Sequence, residues 1–484
     1  MTFGLNQMRE VKENSDLFFR IKQCLAVRLA FVIPILFFAF GCTYFRNPSM
    51  PKESLPPNVL PFEFDKDKIS GVALSSTAQV HSFYGNEPRL IWSDTFRISQ
   101  QADSLITFIR GSETYGLIPT DYHLAEIQTV IDQPITHENA IFLDLYLTDA
   151  FFTLRTHLRK GRLDPKTHLK LSLDSVVIES EIPILKKGIE RESILMLLKS
   201  TEPKHLQYSL LKDALKKIVE ENLPDSTSIK HKNQIVAALE RWRWERPLPD
   251  RYVSVNIPLY QLKVVEKDSV VFESRVIVGK KETPTPNIKS VIRSFIIYPY
   301  WHVPKSIVGE ILPAIQQDTA YLKKHNYQVL DKNGKVVKNS SVDWKAYDAE
   351  TFPYVLRQRE GSENTMGVIK FVFANNYGVY LHDTNARGLF SKTERGLSHG
   401  CVRVQKAVSL AHYLAKDDDT FVGPEDLDQY LLVQHKLVVD VVKPIPVHLD
   451  YFTVEVKDGK VVFYEDIYGW DEEIVRALES VEML

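Results

Sequence analysis

At Arg251 the period of the sequence changes, and that change constrains the fold more than any other feature. From about Phe62 to Glu245 apolar residues recur three and four apart, as in Phe142, Leu145, Leu147, Ala150, Phe151 and Leu154, the spacing that lines one face of a helix. Turn signals joining Gly to Pro, at Gly85 to Pro88, Gly116 to Pro119 and Gly161 to Pro165, stop these helices. From Tyr252-Val253-Ser254-Val255-Asn256-Ile257 onward the runs become short, β-branched or aromatic, and alternate in polarity. Strands are predicted over 259–265, 270–278, 291–299, 369–373, 379–382 and 437–442, spaced like a sandwich or barrel rather than a βαβ unit. A hairpin is predicted from 451–455 and 460–464, turning at Asp458-Gly459.

With 484 residues the chain exceeds one comfortable core. It reads as α+β, with a helical scaffold over 62–245, a β-rich domain over 246–445 and a C-terminal hairpin and helix over 446–484. Between Pro304 and Gly367 lies an insertion, helix-like over 307–325 and then polar, long enough to form a lid. A helix is predicted over 406–416, and Asp417-Asp418-Asp419 after it reads as a solvated loop rather than a metal site.

The N-terminus carries export signals. Leu29 to Gly41 is apolar, is preceded by Arg20, Lys22 and Arg28, and ends at Cys42, the layout of a secretory segment. It falls short of the roughly 20 apolar residues of a spanning helix. Cys42 after Gly41 resembles a lipobox, so two readings stay open over 1–42: lipidation at Cys42, or an uncleaved signal anchor. Either places the body outside the cytoplasm and tethered to a membrane. The Pro-rich stretch over 43–61 reads as the tether. The net charge of −2 offers no basic face for nucleic acid.

Of the three cysteines, Cys24 and Cys42 belong to the targeting segment, which leaves Cys401 alone in the exported body. A lone thiol in an oxidising compartment is an inert buried residue or a nucleophile. Its surroundings favour the second. Tyr380-Leu381-His382-Asp383-Thr384 and Ser398-His399-Gly400-Cys401-Val402-Arg403 bring two imidazoles near one thiol. A thiol needs a neighbouring base to become a thiolate. Gly400 allows close approach to a substrate, with amide N–H groups around Gly400 and Cys401 available to an oxyanion. Arg403 is suited to a substrate carboxylate, or is a surface residue without a role. His382, His399 and Cys401 are also zinc ligand types, but a fourth partner at suitable spacing is missing. The order His before Cys sets a papain-like protease aside.

His382, fifteen intervening residues, then Ser398-His399-Gly400-Cys401 resembles the signature of the L,D-transpeptidase (YkuD) catalytic domain. Further segments resemble the YcbB-type branch: Phe83-Tyr84 with Trp92, Gly116-Leu117 with Tyr122-His123, Leu158 to Pro165, Glu240-Arg241-Trp242-Arg243-Trp244, Thr283-Pro284-Thr285-Pro286, Pro299 to Pro304 and Asp466-Ile467-Tyr468-Gly469. The resemblance implies a helical scaffold, a β-rich catalytic domain and a helical capping insertion. It also implies chemistry without cofactor or metal. Cys401 would be the nucleophile and His382 the general base. Ser398, His399 and Gly400 would shape the site and its oxyanion hole, while Tyr380 and Arg403 would position substrate. The implied partners are peptidoglycan stem peptides: a tetrapeptide donor that loses D-Ala to a cysteine thioester, and an acceptor amine that completes a 3→3 cross-link. Alternatives on the same fold are an L,D-carboxypeptidase, a hydrolase releasing wall proteins, or a wall-binding protein without catalysis. The stretch over 171–232 does not resemble the peptidoglycan-binding domain usual in relatives.

Overall fold

The computed structural model describes residues 69–480 apart from 87–88, 94–96, 170, 172–177, 246, 417–422 and 435. The leader and tether expected over 1–61, Cys42 included, and Asp417-Asp418-Asp419 lie outside the described residues. No described helix is long and apolar enough to cross a membrane.

The first half is helical: α1 (Thr77–Asn86), α2 (Gln100–Arg110), α3 (Leu124–Ile131), α4 (His137–Lys160), α5 (Ile178–Glu190), α6 (Ile194–Lys199), α7 (Leu206–Glu221) and α8 (Ser226–Trp244). Helix α4 is its axis. A capping box of Thr136 and Asn139 starts it, and Arg159 and Lys160 face the negative end of its dipole. Leu143, Leu147, Phe151 and Leu154 are fully buried on it. So is Asp144, whose carboxylate accepts from Ile91 N at 2.6 Å and Tyr84 Oη at 3.0 Å. Trp92 Nε1 donates to Thr148 one turn along, at 2.8 Å. The Phe83-Tyr84 and Trp92 segments are thus ties that hold the incoming chain on α4.

The end of α4 locks onto α8. Gly161 has φ +84°, and a Cβ there would lie 2.5 Å from Glu240 Oε1, so this turn requires glycine. Buried Glu240 accepts from the amides of Arg162 and Leu163 and pairs with Arg243 at 3.1 Å. Trp244 Nε1 donates to Leu163 O at 3.1 Å.

After Arg251 come β1 (Arg251–Asn256), β2 (Gln261–Glu266), β3 (Ser269–Gly279) and β4 (Ile288–Ile297). The insertion then contributes β5 (Trp301–His302), α9 (Lys305–Gln317), α10 (Ala320–Lys324), β6 (Tyr327–Leu330), β7 (Val336–Val337) and β8 (Val355–Gln358). The chain returns through β9 (Ile369–Phe373), β10 (Leu381–His382), β11 (Gly396–Ser398), β12 (Val402–Val404), α11 (Ala407–Ala415), α12 (Pro424–Val433), β13 (Leu437–Asp450), β14 (Val454–Lys457), β15 (Lys460–Phe463) and α13 (Trp470–Glu479).

The main sheet runs β11-β3-β12-β10-β9-β4-β13-β1-β2, and β2 pairs back onto β3. The pairing therefore closes as a barrel does, with β11 outside the ring. Alternate residues of the strands, among them Val253, Leu262, Val276, Phe295, Phe371, Leu381 and Val402, point inward and pack with Leu410 and Leu414 of α11.

The insertion combines helices with strands: its helix breaks at Asp318, and β6, β7 and β8 of the polar stretch join β5 in a four-stranded sheet over a separate core of Ile311, Ile315, Val329, Trp344 and Leu356. The boundary drawn at 445 falls inside β13, which pairs with β4 and β1 through Leu449. The hairpin beyond it turns at Asp458 and Gly459, with φ of +50° and +72°, and its Phe452 and Val454 side pack on Tyr208, Leu211 and Trp242 of the scaffold.

Candidate active site

Strand pairing assembles the site. In the parallel ladder of β10 and β12, Leu381 stands opposite Val402 and His382 opposite Arg403, and Val402 N donates to Tyr380 O at 3.1 Å. Leu381 and Val402 point into the barrel. Side chains alternate along a strand, so Tyr380, His382, Cys401 and Arg403 share the opposite face. Tyr380 there touches both the barrel core and the cap core. The site lies between the two.

Cys401 sits at the mouth of β12, half-buried. The turn before it is strapped from several directions. Gly400 has φ +107°, a region that favours glycine. Its amide donates to Ser398 Oγ at 3.1 Å, and Ser398 Oγ donates to Cys401 O at 2.6 Å. The Gly400 carbonyl accepts from Thr285 Oγ1 at 2.8 Å. Thr285 N in turn donates to Tyr468 Oη, which donates to Gly279 O at 2.7 Å. The Thr283-Pro284-Thr285-Pro286 and Asp466 to Gly469 segments thus buttress the turn that carries the thiol.

The N–H of Gly400 is taken by Ser398 Oγ. The Cys401 amide, by contrast, makes no hydrogen bond among the described residues. Gly400 contributes by turning the chain.

His382 is buried, and its Nδ1 faces the carbonyl oxygen of Asp383. A carbonyl only accepts, so Nδ1 carries the proton and neutral His382 keeps the lone pair on Nε2. Burial, then Arg403 and Lys370, push its pKa down to about 3, against the pull of the Asp383 and Met366 carbonyls. The imidazole rests uncharged. Burial raises the Cys401 thiol above its ordinary value, opposed by hydrogen bonding to Tyr380 and by the charges of Lys370 and Arg403. Thiol and imidazole are both neutral at rest, flanked by two cations.

Arg403 is half-buried, and its Nε has no hydrogen-bond partner among the described residues. His399 reaches across to the cap, where its Nε2 lies 2.9 Å from Glu310 Oε1 on α9. Among the described residues, the His/Cys/Asp/Glu group whose ligand atoms converge is Glu245, His448 and Asp450, without His382, His399 or Cys401, and Lys289 sits 2.7 Å from Glu245 in that group.

Residues outside the motif complete the site. Asp383 is buried; its Oδ2 accepts from Val368 N at 3.0 Å and Arg387 Nη2 at 2.8 Å. Gly367 lets it in, since a Cβ there would meet Asp383 Oδ2 at 2.3 Å. Lys370 on β9 stands opposite His382. A lysine in the otherwise apolar Ile369 to Phe373 run was its signal in the sequence. Tyr468 and Thr285 left no chemical signal, since their roles depend on long-range packing.

Residues 250–426 match the model of the L,D-transpeptidase catalytic domain, and residues 78–215 match that of the Scaffold domain. Over 233 residues the chain is 37% identical to a Haemophilus influenzae protein named "Putative L,D-transpeptidase", covering 47% of each. The chain thus spans about half the length of this curated relative. An L,D-transpeptidase from Mycobacterium smegmatis is similar with 14% identity and a TM-score of 0.20, over 42% of this chain and 58% of that one. The catalytic domain of an E. faecium L,D-transpeptidase, acylated by ertapenem, is similar with 13% identity and a TM-score of 0.19, over 42% of this chain and 100% of that one.

Proposed function

We propose that this chain, which matches the L,D-transpeptidase catalytic domain behind a Scaffold domain, cross-links peptidoglycan stem peptides through a thioester on Cys401. The observation that carries the reading is the shared face of β10 and β12, which sets Cys401 beside Tyr380 and His382.

As the Cys401 sulfur attacks the carbonyl carbon joining the third stem residue to D-Ala, its proton passes to His382 Nε2. The free Cys401 amide donates a hydrogen bond to the oxyanion. The C–N bond breaks, His382 returns the proton to the departing amine, and D-Ala leaves a thioester behind. The side-chain amine of a second stem then attacks the thioester. Its proton travels by His382 back to sulfur, and a 3→3 link remains. The Asp383 carbonyl on Nδ1 keeps the imidazole oriented for both transfers. The cap above the site keeps water from the thioester until the amine arrives. Placement in the envelope through the segment over 1–42 belongs to the same reading.

Intact mass spectrometry tests it. Wild type and Cys401→Ala are each incubated with a carbapenem and with disaccharide tetrapeptide. An adduct on wild type alone, D-Ala loss and muropeptide dimers are expected. D-Ala loss without dimers would make the enzyme a carboxypeptidase. An alkylatable Cys401 that takes neither compound would sink the enzymatic reading.

A further inference from the structure

Lys370 stands on β9 directly opposite His382 and so shares the face that carries Cys401. Its ammonium lies 3.7 Å from the centroid of the Tyr380 ring, and Tyr380 shares with Cys401 the face set by the pairing of β10 and β12. Lys370 is half-buried, and among the described residues no carboxylate pairs with it or with Arg403. Most buried or half-buried cations have a counter-ion, because desolvating an unpaired charge is costly.

The cationic character continues away from the thiol. Arg357 and Lys436 lie 4.4 and 5.1 Å from the ring centroid of Tyr300, and with Lys370 they hold neighbouring His302 below its ordinary pKa, after burial and in the order Arg357, Lys370, Lys436. Cations therefore also gather where β5 and β8 of the cap approach Lys436, beside Glu360, which accepts from Tyr300 Oη at 3.3 Å.

The reaction supplies no counter-ion of its own. Moving the proton from Cys401 to His382 creates a thiolate and an imidazolium together, so the total charge of the site is unchanged. Neutralisation has to come with the ligand.

We propose that Lys370, together with Arg403, forms a carboxylate-binding subsite beside Cys401 that holds the donor stem during acylation. This rests on the transpeptidase reading. The carboxylate has two sources in such a donor, the C-terminus of the leaving residue and the free carboxyl of the diamino acid. A carboxylate bound between the two cations also offsets their effect on His382, which readies the imidazole to take the thiol proton only once the donor is in place.

The test uses the full chain and three disaccharide tetrapeptides: unmodified, amidated at the C-terminus, and amidated at the diamino acid carboxyl. D-Ala or D-Ala amide release is followed by mass spectrometry. Wild type is expected to process one amidated donor more slowly in kcat/KM by on the order of 10- to 100-fold, the value of one charge-assisted hydrogen bond. The slow donor identifies the source. Lys370→Met should lower kcat/KM for the unmodified donor by a similar factor and erase the discrimination, and Lys370→Arg should retain it. Equal handling of all three donors by wild type overturns the subsite, whatever the variants do. So does an equal loss on every donor in Lys370→Met. Failure of wild type to release D-Ala from any donor overturns the transpeptidase reading instead.

Discussion

The hydroxyl of Thr285 donates to the carbonyl oxygen of Gly400 at 2.8 Å and accepts from the amide of Gly279 at 2.8 Å. One fully buried side chain therefore joins the turn bearing Cys401 to the end of β3. Thr285→Val keeps the shape but leaves an acceptor and a donor unpaired, each worth about 1–3 kcal/mol. Urea unfolding should show a loss in that range, and acylation by a carbapenem should slow. An unchanged unfolding midpoint would show that the strap holds nothing.

Tyr468 works on the same turn from the C-terminal segment, through Thr285 N and Gly279 O. Tyr468→Phe should slow acylation although the residue lies far from Cys401 in the chain. Since Thr285 and Tyr468 share partners, a double-mutant cycle should give a coupling of about 0.5–3 kcal/mol. Strict additivity would refute the shared strap.

At the scaffold junction, Gly161→Ala combines a positive φ with a Cβ against Glu240. A loss of roughly 2 kcal/mol or more is expected, the scale of strain plus a disturbed buried network. Thermal melts of the two proteins check it. A melt within about 1 °C of wild type would contradict the stated need for glycine, given the several degrees per kcal/mol usual for domains.

The pH dependence has two parts. His382 has a folded pKa of about 3 against an ordinary 6.5, so its contribution to stability is present above pH 6.5 and is lost as pH falls toward 3. Wild type should lose stability between pH 7 and pH 5, and His382→Gln should lose less. Cys401 is raised above 9.0, so alkylation of the resting enzyme by iodoacetamide should keep climbing at pH values where an ordinary thiol has levelled off. A plateau near neutral pH would mean a preformed thiolate.

Glu310 on the cap and His399 beside the thiol form an exposed pair, which contributes little to stability. Glu310→Ala should therefore shift unfolding by less than about 0.5 kcal/mol. Amide exchange in α9 should nevertheless quicken, and the KM for donor should change, because the pair is a direct tie between cap and active-site turn. Unaltered exchange would mean that the cap is held elsewhere.

What the sequence determined by itself is what short windows encode. The β9 run over 369–373 is β-branched and aromatic, and a strand forms there at Ile369–Phe373. Asp458-Gly459 tolerates left-handed backbone, and the hairpin turns on it. His382 and the Ser398 to Arg403 stretch announce their chemistry because the reactive groups are near neighbours in the chain. Cap strands of two to four residues are too short for a period of two to register, so the β6 to β8 sheet was not legible.

Tertiary structure decided the rest, because it depends on which distant groups meet and which are cut off from water. Ser398 takes the Gly400 amide and leaves that of Cys401 free. The Asp383 carbonyl selects the tautomer of His382. Pairing of β9 with β10 brings Lys370 opposite His382, and packing of the C-terminal segment brings Tyr468 to Thr285. Burial then sets the charges, keeping thiol and imidazole neutral between two cations that only the folded chain brings together.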